Sequence, residues 1–311
     1  MLSRRSVRIK VMQLLYMLNR DEKLAFPDLL KGYNDGIWKT YEIYIFHLYL
    51  LLKVAQYAEK DAEIRAAKLL PDDDDKNFTP RLYKNACTQS IANHVGFLKV
   101  AALYHANENL DEDHIRRMYN AFSDTEPYQK YLETPELTEQ DHAKMLLELY
   151  RFLQTTDLFI EMTEDRYNNW LDDESLVVGA MKKTLKATPV EGEFYKEYEP
   201  ADETVREFGE QLLRKTCQED QTLFDLINPN LKNWDADRVA TLDMIMLKMA
   251  LCELLYFPTI PTKVTLNEFV EISKVYSTEN SKEFINGILD RLMKRLLKEE
   301  KIVKEGRGLI E

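Results

Sequence analysis

Residues 250–292 read ALCELLYFPTIPTKVTLNEFVEISKVYSTENSKEFINGILDRL, and the architecture of the chain turns on them. Upstream, in the run NPNLKNWDADRVATLDMIMLKMALCELLYF (228–257), apolar residues fall on nearly every side between Val239 and Leu255. A helix of that kind is enclosed by others and marks the centre of a bundle. Phe257-Pro258-Thr259-Ile260-Pro261 must break it, because proline removes a helical donor and clashes with the preceding turn. TKVTLNEFVEISKVY restores a helix. STENSKEF then signals another start, with Asn280 placed to cap and Glu283 to return the bond. The last helix carries Arg291, Lys294, Arg295 and Lys298 on its outer side.

Composition points the same way for the whole chain. Only 9 Gly and 10 Pro interrupt 311 residues, 45% of which are hydrophobic, and the charged residues arrive in helical rhythm. The turn-rich composition of sandwiches and barrels is missing, so the expected class is all-α, in one long or two ordinary domains. A net charge of -12 and a pI near 5.1 exclude a protein that coats nucleic acid non-specifically; any contact with RNA or DNA is local. Cys87, Cys217 and Cys252 are far apart and form no C-x-x-C pair. That argues against a disulfide framework or a thiolate zinc site and for a reducing cytoplasm.

Against the acidic average, the first ten residues hold Arg4, Arg5, Arg8 and Lys10 and no acid. The following apolar run is too short, and lacks the small-residue cleavage site, for a secretory signal. No stretch reaches the roughly 18 uncharged residues of a membrane span. Wound as a helix, the opening has Val7, Val11, Leu14, Leu15 and Leu18 on one side, with Ile9, Met12 and Tyr16 opposite, in line with Arg5. Either a partner docks on that second face or the helix is sandwiched between two layers of its own protein, and the pattern by itself favours the sandwich.

Between the ends, helical patterns cover 33–70, 82–107, 111–121, 139–154 and 175–187, and TPVEGEFYKEYEPADE (188–203) reads as an exposed linker. PDDDDKNFTP (71–80) reads as a solvated loop, without the glycine and distal Glu of an EF-hand. Asp111-x-x-His114 and Glu139-x-x-His142 have the spacing of di-iron ligand pairs, but surface histidines are the expected reading. No phosphate-cradling glycine loop and no nucleophile elbow is present, so neither catalytic residues nor a cofactor or metal is expected, and the chain reads as a non-enzyme.

The run from Ala250 to Leu292 resembles the C-terminal signature of the NusB transcription antitermination family: A-x-x-E-L, then I-P-x-K-V-x-I-N-E-x-V-E-x-A-K, then S-x-x-F-(V/I)-N-G-(V/I)-L-D. The opening RRSVRIKVMQLLY resembles the family's R-R-x-x-R-x-x-x-x-Q-x-L-Y. The resemblance covers Ser3 to Leu18 and about Thr204 to Leu297. It implies an all-helical NusB-like bundle formed by 1–20 and 200–311, with 21–199 as a helical insertion of which 139–154 supplies the family's short second helix.

The resemblance further implies a cytoplasmic RNA-binding antitermination factor. Such a factor pairs with NusE, the small-subunit ribosomal protein, binds single-stranded boxA-like RNA of ribosomal RNA transcripts, and joins other Nus factors on RNA polymerase. On this alignment Arg4, Arg5 and Arg8 match the RNA-contacting arginines, with Lys10 beside them. Lys263, Lys282, Phe284 and Asn286 supply further charge, a stacking ring and an amide. Tyr16 and Asp243 match NusE-facing positions. Asn280 stands where the family often has an acid, a change that favours phosphate. The competing reading is a protein-interaction scaffold that keeps the NusB frame and has lost RNA binding.

Overall fold

The structure is a computed structural model that describes residues 2–21, 23–108, 110–231 and 239–309. Among these there is no strand. In chain order the helices are α1 (Arg4–Arg20), α2 (Phe26–Ala66), α3 (Asp73–Asn77), α4 (Ala86–Ala92), α5 (Val95–Leu103), α6 (Glu112–Ser123), α7 (Glu126–Glu133), α8 (Glu139–Leu153), α9 (Asp157–Arg166), α10 (Trp170–Lys186), α11 (Gln211–Gln218), α12 (Asp220–Ile227), α13 (Thr241–Tyr256), α14 (Thr262–Tyr276) and α15 (Ser281–Lys298). Residues 232–238, inside the run quoted above, lie outside the described residues. No described helix is long and apolar enough to cross a membrane.

The chain divides into two compact units. One runs from Trp38 to Glu199; the other joins Leu2–Ile37 to the chain from Pro200 onward. Helix α2 therefore gives its first three turns to the terminal unit and the rest to the middle one. In the terminal unit Leu29, Tyr33 and Ile37 of α2 share a core with Val7, Val11, Met12 and Leu15 of α1, and α13 is buried on nearly all sides within it. The helix at 139–154, expected to belong to this core, lies in the middle unit, and in the terminal unit it is the start of α2 that packs beside α1. Helix α8 instead buries Leu146, Leu149, Tyr150 and Leu153 in the middle unit, because its apolar residues repeat on a face that α4 and α10 cover.

The middle unit is built around tyrosines and one buried histidine. His47 is fully enclosed, with Nδ1 3.0 Å from the Tyr150 hydroxyl and Nε2 3.1 Å from the Thr163 hydroxyl. Burial pushes its pKa down to about 3, so the ring is neutral at pH 7. The acidic run at 71–80 is not a bare loop: Asp72 and Asp75 form a reciprocal capping box for α3, and Asp75 accepts from Lys68 at 2.6 Å. His142 sits against the Tyr131 hydroxyl at 2.8 Å. Among the described residues no three His, Cys, Asp or Glu side chains converge on a metal-sized site.

A local irregularity shapes the terminal unit. Residues Glu203–Glu210 form π-helical turns that run directly into α11. The wider winding frees carbonyls from the regular ladder. The Tyr33 hydroxyl donates to the Val205 carbonyl at 2.7 Å. Gly209 makes this approach possible, since a Cβ there would meet Tyr33 Oη at 2.0 Å and Val7 Cγ1 at 2.2 Å.

Candidate nucleic-acid interface

Helix α1 is the sandwiched helix of the two alternatives. Ser3 caps it in a box with Ser6, and Val7, Val11, Met12 and Leu15 are buried. Met12, on the second apolar face, is 1% exposed, while Ile9 and Tyr16 are half-buried. The reason is the number of neighbours: α13, α11, α14 and the π-helical turns all pack on α1, so a single apolar stripe cannot serve them.

The arginines of the opening separate by depth. Arg8 is 2% exposed and forms a two-pronged pair with Glu253, which is fully buried: Nε to Oε2 2.8 Å and Nη2 to Oε1 2.7 Å. The Thr265 hydroxyl donates to the same Glu253 Oε1 at 2.7 Å, and Glu268 approaches Arg8 at 3.6 Å. The guanidinium lies over the Phe208 ring, 4.9 Å from its centroid. Arg8, one of the three arginines expected at RNA, is thus engaged inside the fold. Its charge and donors are spent inside the fold, where a planar fork matches a carboxylate. Lys10, also expected at RNA, is 7% exposed and is likewise part of the interior.

Arg4 and Arg5 are different. Arg5 donates to Glu268 through Nε (2.8 Å) and Nη2 (2.7 Å), but half of its side chain remains accessible. Arg4 pairs with Glu203 at 3.0 Å and lies 5.5 Å from the Phe208 centroid, with 39% of its side chain exposed. The Arg5 guanidinium holds the Glu268 carboxyl below the usual range. Glu271 is lowered chiefly by its bond to Lys274, and the charges of both Arg5 and Lys282 act on it as well. Glu271 on α14 is thus within electrostatic reach of both Arg5 on α1 and Lys282 at the start of α15.

Of the remaining candidates, Lys263, Lys282 and Asn286 are exposed, and Phe284 is half-buried against the terminal core. Asn280 begins α15 but makes no side-chain cap bond, so the expected Asn280–Glu283 box is absent. Asp243 is 5% exposed, and its carboxylate accepts from Ser277 Oγ (2.5 Å) and Ser281 Oγ (2.7 Å). Asp243, expected to face NusE, is thus a buried carboxylate with both oxygens bonded inside the fold. Tyr16 keeps part of its ring accessible, with Arg20 Nε and Nη2 donating to its hydroxyl at 3.1 and 3.0 Å.

The residues that sequence reading passed over are the acids that hold the arginines. Glu253 is the Glu of A-x-x-E-L, and Glu268 that of N-E-x-V-E. A glutamate flanked by Cys252 and Leu254 on a helix apolar on nearly every side was itself the signal, since an enclosed carboxylate demands a cation. The two motif blocks thus meet in space as an ion-pair network.

Comparison with known proteins accords with these motifs. The NusB family model matches residues 172–294. The chain is 38% identical to the transcription antitermination protein NusB of Salinibacter ruber over 35% of its own length and 68% of that protein. It is 41% identical to the NusB of Methylacidiphilum infernorum over 32% of this chain and 68% of the relative. With the NusB of Chloroherpeton thalassium it shares 34% over 36% and 53%. No solved structure matches the chain.

Proposed function

The chain belongs to the NusB family, and from that membership we propose that it is a transcription antitermination factor whose terminal unit binds single-stranded boxA-type RNA together with NusE. The curated relatives are named transcription antitermination proteins. Such a factor works on nascent ribosomal RNA transcripts in the cytoplasm, reaching RNA polymerase through the other Nus factors.

One observation carries the reading: Arg4 and Arg5 stay accessible at the start of α1, and the charges of Arg5 and Lys282 both reach Glu271. Glu203 is an exposed acid whose pair with Arg4 contributes little, whereas Glu268 is 19% exposed and holds Arg5 in a two-pronged pair. An arriving phosphate therefore displaces Glu203 from Arg4 at small cost and meets the accessible half of Arg5, while Arg8 below holds the helix in place. Phe284 and Asn286 on α15, and Lys263 on α14, add a ring edge, an amide and a charge of the kind that unstacked bases and phosphates need. Tyr16, at the other end of α1, is the candidate NusE contact.

The test is binding of a short boxA-type RNA and a scrambled control, with and without NusE, across a salt series. On single strands log K falls by about 0.7 per neutralised phosphate per decade of salt. Arg4→Ala/Arg5→Ala should flatten the slope by about 1.4. Equal affinity for both RNAs under every condition overturns the proposal.

A further inference from the structure

Asp243 lies on the first turn of α13, and its two oxygens hold the chain on either side of the turn between α14 and α15. Ser277 and Ser281 each give their only hydroxyl hydrogen to the carboxylate, Thr278, 2.7 Å from Ser281 Oγ, is left as the donor to that oxygen, and the 3.0 Å approach of the two serine oxygens then carries no hydrogen. No side chain caps α15 at Asn280, so this buried acid replaces a cap as the anchor of the helix start. Above it is a recess of about 190 Å³ lined by Val239, Ala240, Asp243, Asn280, Ser281 and Phe284.

We propose that Asp243 is a positioning residue for RNA: through Ser277 and Ser281 it clamps the 277–281 turn, so that Asn280, Lys282 and Phe284 are presented in one fixed arrangement. This rests on the RNA-binding reading above. Without the clamp the turn samples other conformations, and only a fraction of molecules is competent to bind, which lowers apparent affinity by that fraction.

The sign of the effect separates this role from its rivals. An acid that merely sits near RNA repels phosphate, so its removal strengthens binding. A clamp does the reverse, and it fails equally when its serines are removed with the charge left in place. The experiment compares wild type, Asp243→Ala and Ser277→Ala/Ser281→Ala by affinity for a short boxA-type RNA across salt and by hydrogen exchange without RNA. The Ser281 amide, bonded to the Thr278 carbonyl (3.0 Å), and the Phe284 amide, bonded to the Asn280 carbonyl (3.2 Å), report the clamp directly.

Both variants should lose protection at residues 278–286 while α13 keeps its own. Both should bind about tenfold more weakly, the scale of one net hydrogen bond, with an unchanged salt slope. The proposal is overturned if exchange at 278–286 is unaltered, or if Asp243→Ala binds more tightly while the serine variant equals wild type. It is also overturned if Asp243→Ala impairs only NusE binding, which would return Asp243 to a partner-facing role. Failure of the wild-type chain to bind RNA refutes the function reading, and the exchange data then decide whether the clamp exists.

Discussion

Replacing Glu253 by Gln tests whether Arg8 is structural. The substitution keeps the shape of the side chain and removes one charge from a site where Glu253 is fully buried and Arg8 is 2% exposed. Two charge-assisted bonds of 2.8 and 2.7 Å are affected, and an amide N–H would face either the guanidinium or the Thr265 hydroxyl. Breaking one side of a buried pair costs about 3–5 kcal/mol, since the surviving charge is left uncompensated. Glu268 at 3.6 Å retains part of the attraction, which favours the lower end, about 3 kcal/mol. With a urea dependence of about 1–3 kcal/mol per molar, the unfolding midpoint should fall by about 1–3 M. Because the chain has two units, the assay is hydrogen exchange of α13 amides in rising urea, which follows the terminal unit alone. An apolar replacement of both partners, Arg8→Met with Glu253→Leu, should recover most of the loss. A single variant within about 0.3 M of wild type, a tenth of the largest shift expected from that dependence, would refute the argument. So would a double variant as unstable as the single one.

Gly209→Ala should destabilise the terminal unit by about 1–3 kcal/mol through overpacking, because the new methyl meets Tyr33 and Val7; adding Tyr33→Phe relieves only part of this, and an unchanged melting temperature would contradict the close packing. His47 titrates below its unfolded value, so its contribution to stability is complete above about pH 6.5 and is lost as pH falls toward 3. His47→Gln should remove a slope of about 1.4 kcal/mol per pH unit across that window, measurable by urea titrations at pH 4 to 7. Lys304 is pushed by burial down to about 8, so the folded state holds its charge less readily than the unfolded chain. Stability should therefore rise as pH climbs from 8 toward 10.5, and Lys304→Met should abolish that rise; persistence of the rise would assign it to another group.

How much was legible beforehand depended on the range of each signal. The enclosed helix around Ala250, the proline break at 258–261 and the restart at Ser281 are local and periodic, and α13, α14 and α15 occur where the pattern places them. Helix α8 also forms where expected, but the unit it joins depends on distant partners, and the periodicity of 139–154 carries no information about which core receives it. Likewise the sequence showed three arginines in one turn and a half. It did not show that Arg8 points inward to Glu253 while Arg4 and Arg5 remain accessible.

The amino-acid sequence by itself determined the all-α class, the central apolar helix, the breaks and the family, because these follow from spacing and composition along a single segment. Tertiary structure alone decided the depth of each charge. A guanidinium 245 residues from its carboxylate becomes a buried strut only when α1 and α13 pack together, and Asp243 becomes a clamp only when the turn after α14 folds back over it. Desolvation is a property of the assembled neighbours, so it converts identical residue types into interior pairs or accessible contacts according to packing.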